Sequence, residues 1–458
     1  MKKLLLNSSK TNQQNLFYSP LSDMLDMNDP LIALSNAIDW EIFENEFSQF
    51  YSKDGSPAKP IRLMVGLLIL KQLENLSDES IVIQWKRNPY YQYFCGYNEM
   101  QLCEPCHSTQ LVKFRQRIGK EGMELIFKVS VQLHGNKAEE KEVLIDTTVQ
   151  EKNITYPTDG KLAIKMIHHL HKIGKKEQLN LRRTFVKEIK EHRINLRFFK
   201  HPKKIKKARS SIKRLRTIVG ILIRDISRNL KQDKLSNYTN TFDLFDKVRN
   251  QQIKDSNKVL SLHESHVYAI TKGKDHKKYE YGTKASIVAT KDSGVIVGVA
   301  SHSKNEHDSK TLEAALISAN KTRTTAIKEV ICDRGYRGIK EVLGTIISIP
   351  GTTLKKDTEY QKQQKRDKFK RRAAIEPIIG HLKSDFRLAR NYLKGFIGDL
   401  INLLLAATAW NLKKWMNIYF FAIISGEMKL LLESIKQIKL YNQIFLQLIV
   451  IKLIFTHP

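Results

Sequence analysis

The sequence predicts a mixed α/β core that is interrupted by a helical insertion and preceded by an all-helical region. Three observations predict it. Two apolar, β-branched runs, at 143–149 and 330–332, have the composition of buried strands. Between them, residues 161–250 lose the strand pattern and take up helical spacing; strands resume at 279–290 and 295–301. Ahead of the first run, helical periodicity dominates. Strand, interruption, hairpin, helix, strand, helix is an order that suits a mixed sheet with helices on both faces. The segments are therefore drawn at 1–135, 140–160, 161–258, 259–415 and an apolar tail at 416–458.

Residues 1–58 are mixed and end in the turn-prone stretch 53–57. From Pro60 a helical pattern runs through Leu63, Gly66, Leu67, Leu70 and Leu73. Ser77 is a cap candidate for a second helix, with Asp78 and Glu79 suiting its positive end. Ser108 is the expected cap of a third. There Leu111 and Phe114 face a core, while Lys113, Arg115 and Arg117 project elsewhere. Helix, turn and basic helix is how many DNA readers present a recognition element, so these three cations are DNA-binding candidates. An ordinary helical bundle with basic ends has the same pattern.

The chain carries 78 Lys and Arg against 47 Asp and Glu, a formal charge of +31 over 458 residues. That excess points to a polyanionic partner. It is also concentrated, since residues 161–230 hold 22 Lys and Arg against 4 Asp and Glu. Within that stretch Ile205, Ala208, Ile212, Leu215, Val219, Leu222 and Ile226 form an apolar heptad seam. A helical hairpin and a dimer contact both explain the seam, and its shortness favours the hairpin. Lys203, Lys204, Lys206 and Lys207, on the opposite faces, are candidates for tracking DNA phosphates.

In the second half, 292–294 reads as a hairpin turn and 309–320 as a helix, followed by the 330–332 strand and a short strand at 345–349. Residues 355–372 are densely charged and read as a segment that DNA orders. Three acids stand out against this frame. Asp146 lies on the first strand, Asp333 closes the second, and Glu376 opens a helix with Pro377 near its first position. A carboxylate on or just past a buried strand is costly unless something cationic compensates it. Two such strands and a helix acid can converge on a pair of divalent metals. Each acid alone has a plainer reading as a salt-bridged or capping carboxylate. Oxygen donors with few histidines nearby favour Mg²⁺ or Mn²⁺ over zinc. Tyr336 either stacks on an extruded base or packs on the sheet edge.

At these residues the chain resembles the DDE transposases of bacterial insertion sequences, in the branch whose third acid lies in a Tyr-x2-Arg-x3-Glu-x6-Lys pattern. Phe369 stands at the tyrosine position, while Arg372, Glu376 and Lys383 keep the spacing. The stretches 146–150, 156–159, 272–277 and 333–338 match as well, in the family's order. The resemblance implies a ribonuclease-H-like core split by the insertion. It implies Asp146, Asp333 and Glu376 as catalytic, metal-binding acids using Mg²⁺ or Mn²⁺, with Arg372 and Lys383 on DNA phosphates. It also implies a bacterial, cytoplasmic, nucleoid-associated enzyme that acts as a homodimer on double-stranded DNA. Such an enzyme binds the terminal inverted repeats of its element, cleaves the strands there and joins the 3′ ends to target DNA. A basic DNA-binding regulator descended from such an element, without catalysis, is the competing reading.

Other classes fit less well. Cys95, Cys103, Cys106 and Cys332 are too few for a disulfide framework. The Cys103-x2-Cys106-His107 spacing matches haem attachment, but no export signal is visible. Zinc is disfavoured by the gap between Cys95 and Cys103. The charge-free apolar stretches 416–426 and 441–451 are shorter than the roughly 20 residues that cross a bilayer, so no membrane partner is expected.

Overall fold

Apolar residues recurring on every side of one helix set the centre of the N-terminal region. In the computed structural model, which describes residues 19–51, 57–252, 254–274, 277–349 and 356–455, that helix is α4 (Ile61–Leu73). Every residue of it except Arg62 is buried, as a helix apolar all round must be. Around it lie α1 (Leu21–Met24), α2 (Pro30–Ala37), α3 (Trp40–Ser48), α5 (Asp78–Arg87), α6 (Pro89–Phe94) and α7 (Ser108–Gln132). The loop expected at 53–57 falls almost wholly outside the described residues.

Ser77 caps α5 as expected, its side chain accepting from the Ser80 amide at 3.0 Å. The cap of α7 is His107 rather than Ser108: the ring Nδ1 accepts from the Thr109 amide. Gly119 breaks α7 at φ 61, ψ −154, a left-handed conformation that glycine takes without steric cost. The expected helix–turn–helix is met in its helices but not in its turn. Residues 88–107, with α6 among them, separate α5 from α7, whereas the motif needs three or four residues.

The core is a mixed sheet of β1 (Glu142–Lys152), β2 (Tyr268–Lys274), β3 (Lys277–Thr290), β4 (Ile296–His302), β5 (Glu329–Ile331), β6 (Glu341–Val342), β7 (Thr345–Ser348) and β8 (Arg390–Asn391). Its order is β2-β3-β1-β5-β7-β6, with β4 on β3 and β8 on β1. β3 runs antiparallel to β1 and β4, while β5 is parallel to both β1 and β7. Of these, β2, β6 and β8 escape sequence reading, because two are only two residues long and β2 ends in Lys and Gly rather than in apolar alternation.

Period-two alternation sorts the strands' side chains between two helical layers. Val143, Ile145, Val330 and Cys332 join the large core, which includes α13 (Leu312–Thr322) and α16 (Gly395–Phe455). Leu144 and Ile331 face the other way, onto Ile375 of α15 (Ile375–Ser384). The charged stretch before α15 is itself helical, as α14 (Glu359–Arg372). Its apolar period is absent, so the pattern hid it. Strong helix formers and a capping box between Thr358 and Gln361 account for it.

The insertion consists of α8 (Asp159–Lys176), α9 (Val186–Asn195), α10 (Ile205–Asn229), α11 (Gln232–Leu235) and α12 (Thr239–Asn250) around its own apolar cluster. The heptad seam of α10 is filled from within the chain: Leu215, Val219, Leu222 and Ile226 meet Leu162, Ile167, Leu170 and Phe245. The hairpin reading therefore accounts for the seam.

The tail is not a separate element, for α16 runs without a break across residue 415. Its Gly395–Gly426 part is long and apolar enough to cross a membrane by length and composition. Counting charge-free runs missed this, since Asp399, Lys413 and Lys414 interrupt them. Residues 403–407 of that part are buried in the protein core.

Candidate active site and DNA interface

Strand alternation also decides where the acids go. Asp146 lies two residues after Leu144 on β1 and so falls on the α15 side of the sheet; Asp333 lies just past the end of β5. β1 and β5 pair in parallel, Leu144 against Ile331. Asp146 lies two residues beyond the last such pair on β1, and Asp333 two residues past the end of β5. Glu376 directly follows Ile375, the residue that packs on Leu144 and Ile331. Phe369 packs against the same cluster, a role its ring fills without a hydroxyl.

The three acids are held differently. Asp146 Oδ1 accepts from the Thr147 amide at 2.7 Å. Asp333 caps a short 3₁₀ turn, its Oδ1 accepting from the Gly335 amide at 2.8 Å. Glu376, with its side chain 63% exposed, sits 3.5 Å from the Arg372 guanidinium. Cys332 lies among these groups. Burial pushes its thiol up to about 12, Asp333 and Asp146 push the same way, and Arg372 opposes them. Among the described residues, no three His, Cys, Asp or Glu side chains lie close enough to hold a metal ion as they stand. Bringing Glu376 to the two aspartates requires its exposed side chain to leave Arg372. Lys383 lies two helical turns beyond Glu376 on α15, half-buried.

Sequence reasoning missed a fourth acid. Asp308 opens the turn before α13, and its Oδ1 accepts from Thr147 Oγ1 at 2.9 Å and from Lys284 Nζ at 2.9 Å. It sits between a strand and a helix, where an acid reads as an ordinary cap. A residue whose partners lie 161 and 24 positions away leaves no local signal.

Comparison with known proteins matches both halves of this arrangement. Residues 255–412 match the transposase DDE domain, and residues 19–117 match a transposase domain, DUF772. The chain belongs to the DDE transposases of insertion sequences. Asp333, Glu376, Arg372, Lys383 and Asp308 fall within the DDE match, while Asp146 and the insertion lie between the two matched segments. An uncharacterized protein of Rhizobium meliloti, ORF8 in the nfe locus, is 35% identical to the transposase over 196 residues, which are 42% of this chain and 95% of that protein. No solved structure shows a significant match.

The transposase's cations divide into exposed and structural groups. Lys203, Lys204, Lys206 and Lys207 are all exposed at the start of α10, with Lys204 Nζ 4.5 Å from the Phe198 ring centroid. Lys113 is exposed, and Arg117 stacks on Tyr51 at 4.5 Å. Both border a small pocket with Lys59 and Gln110.

Arg115 does not belong with them. It is 4% exposed and pairs with Asp78 of α5, beside Lys71. Helical spacing explains the correction: position 115 shares the inward face of Leu111, Phe114 and Ile118. Burial lowers Lys71 to about 8, and the nearby Arg115 adds to that while Asp78 opposes it. Arg115→Met is therefore expected to destabilise the N-terminal region by about 3 kcal/mol, by leaving Asp78 short of its bidentate partner. Lys113→Gln is expected to leave stability unchanged. Denaturant unfolding of the two variants separates the roles; equal midpoints would show that Arg115 is not structural.

Tyr336 also needs correcting. It is fully buried, at 0% exposure, and cannot stack on a base in this conformation. The side chains of 272–277 lie outside the described residues. The cysteines are free thiols, with Cys95 and Cys106 buried and Cys103 exposed. The His107 ring Nδ1 is engaged with Thr109.

Proposed function

We propose that this transposase is an active enzyme that cleaves DNA strands at the terminal inverted repeats of its element and joins the 3′ ends to target DNA. The observation that carries the reading is the placement of Asp146 on β1 and of Asp333 two residues past the end of β5, its parallel neighbour, with Glu376 next to Ile375, which packs on both strands. The sheet supports a ribonuclease-H-like reading: β4, β3 and β1 antiparallel in succession, then β5 and β7 parallel to β1.

Asp146, Asp333 and Glu376 would hold divalent ions, Mg²⁺ or Mn²⁺. Their donors are all oxygens, as such hard ions require. When bound, two such ions lower the pKa of an attacking water or 3′-hydroxyl and offset charge on the leaving oxygen. Within the protein, β1 carries Asp146, and the turn that follows β5 carries Asp333. Arg372 holds Glu376 until DNA is present. A phosphate competes for Arg372, whose planar fork suits bidentate phosphate contact. Lys383 follows on the same face of α15 and meets a neighbouring phosphate.

Purified protein, Mg²⁺ and a supercoiled plasmid carrying the element's ends test the reading. Metal-dependent breaks at the ends support it; sequence-specific binding without any break counts against it. The second reading, a DNA-binding regulator without catalysis, has one observation in its favour: Glu376 pairs with Arg372 at 3.5 Å.

The basic face of α10 is expected to grip phosphates without reading sequence. Replacing Lys203, Lys204, Lys206 and Lys207 by Gln should weaken binding to specific and random duplexes alike. The slope of log K against log salt should flatten by up to about 3.6 if all four cations meet phosphates. An unchanged slope refutes the assignment. Substitution of Lys113 or Arg117 should instead reduce preference for the terminal repeat.

A further inference from the structure

We propose that Gln72, Asn75 and Arg387 are positioning residues for the reaction, through which the N-terminal region holds the end of α15, the helix that carries Glu376 and Lys383. The proposal rests on reading Glu376 as a catalytic acid, and adds what keeps its helix in place.

The contacts lie at and just beyond the end of α15. Gln72, buried near the end of α4, donates from Nε2 to the Phe386 carbonyl at 2.6 Å. Asn75 Nδ2 donates to the Ser384 carbonyl at 3.2 Å, and Arg387 Nη1 donates back to the Asn75 carbonyl at 2.9 Å. These bonds join residues that are 309 to 314 positions apart along the chain. A helix leaves its last carbonyls without partners of their own. Here the carbonyl of Ser384, the last residue of α15, is met from the N-terminal region.

Backbone conformation marks the same place. Asn75 has φ 55 and Arg387 φ 60, both left-handed. Asparagine tolerates that region, whereas an arginine is strained where a glycine is not. Strain of this kind persists where the surroundings hold it, and it gathers at functional sites. Arg387 is held from two sides, by its own bond to Asn75 and by Asn402, whose Nδ2 donates to the Arg387 carbonyl at 3.2 Å.

Asn402 carries the connection on to the sheet. The same Nδ2 donates to Gln150 Oε1 at 2.7 Å, and both side chains are buried. Gln150 lies on β1, four residues after Asp146. A chain of hydrogen bonds thus runs from the N-terminal region, through the segment that follows α15, to the strand that bears the first acid. An apolar contact can slide, but a buried polar network that is satisfied specifies one arrangement.

The test is Arg387→Gly in the full chain. Glycine takes φ 60 without strain, so the variant should fold and melt close to the wild-type temperature. It lacks the bond to Asn75. Affinity for a duplex carrying the element's end should stay the same, while the single-turnover rate of Mg²⁺-dependent cleavage at saturating protein should fall by about tenfold or more. The amides of α15 should exchange faster with deuterium. Gln72→Met keeps the length of the side chain without its donor, and should have the same two effects. If the wild type cuts and both folded variants cut as fast, with α15 exchanging as slowly, the positioning role is overturned while the reading of Glu376 survives. A loss of cleavage that saturating protein restores would make Arg387 a DNA contact instead, and would also overturn it. If the wild type itself does not cut, the reading of Glu376 falls and this proposal with it.

Discussion

Asp333→Asn is expected to abolish strand cleavage and strand transfer together while leaving the fold and DNA binding in place. Asp333 caps its turn through a hydrogen bond from the Gly335 amide to Oδ1 at 2.8 Å. An asparagine oxygen accepts that bond equally well and still caps the turn. What it removes is the negative charge, on which divalent metal binding depends. On the proposed reading one site serves both chemical steps, so both should fall to below about a thousandth of the wild-type rate. Affinity for DNA should hold or improve, because a carboxylate near phosphates is repulsive. Asp146→Asn and Glu376→Gln should look alike, and double variants should be little worse, as in any unit that acts together. Gel assays of plasmid breakage and strand joining, beside a binding titration, decide the matter. A folded Asp333→Asn protein that still cuts would overturn the catalytic assignment. Loss of folding in step with activity would mark Asp333 as merely structural.

The two aspartates stand out in the sequence because their charge conflicts with their setting. An acid inside a β-branched run such as 143–149 contradicts its neighbours, and that contradiction shows in one dimension. The strands β1, β3, β4, β5 and β7 were legible for the same local reason. Arg115 and Tyr336 were misassigned because residue type was read without its face. One turns inward with the apolar stripe of α7, and the other packs beneath the turn it belongs to. Asp308 stayed hidden because its partners, Thr147 and Lys284, lie on distant strands. The length of α16 was missed because three charged residues cut its apolar run, although the fold buries most of that run. The exposure of Lys203, Lys204, Lys206 and Lys207 was legible, since surface lysines need no tertiary partner to be recognised.

Lys152→Met is expected to produce the largest loss of stability, and it tests how the insertion is tied to the catalytic sheet. Lys152, 2% exposed at the end of β1, meets Asp399 at 2.5 Å and Glu264 at 3.5 Å, side chains that are 0% and 3% exposed. Its Nζ also donates to the Gly395 carbonyl at 3.1 Å, and Asn391 donates to Asp399 at 2.6 Å. The strand that carries Asp146, the segment returning from the insertion at Glu264 and the start of α16 are thus joined through one ammonium. Methionine fills the volume but leaves two buried carboxylates facing each other. Removing one partner of a buried ionic cluster costs about 3–5 kcal/mol, because the remaining charges are left uncompensated. His266 Nε2 also lies 3.0 Å from Asp399. Adding Asp399→Asn to Lys152→Met should recover part of the loss, a coupling that a double-mutant cycle measures directly. Denaturant unfolding followed through Trp410, on α16 in the core, is the readout. Equal midpoints for wild type and Lys152→Met would show that the cluster is not what holds these three elements together.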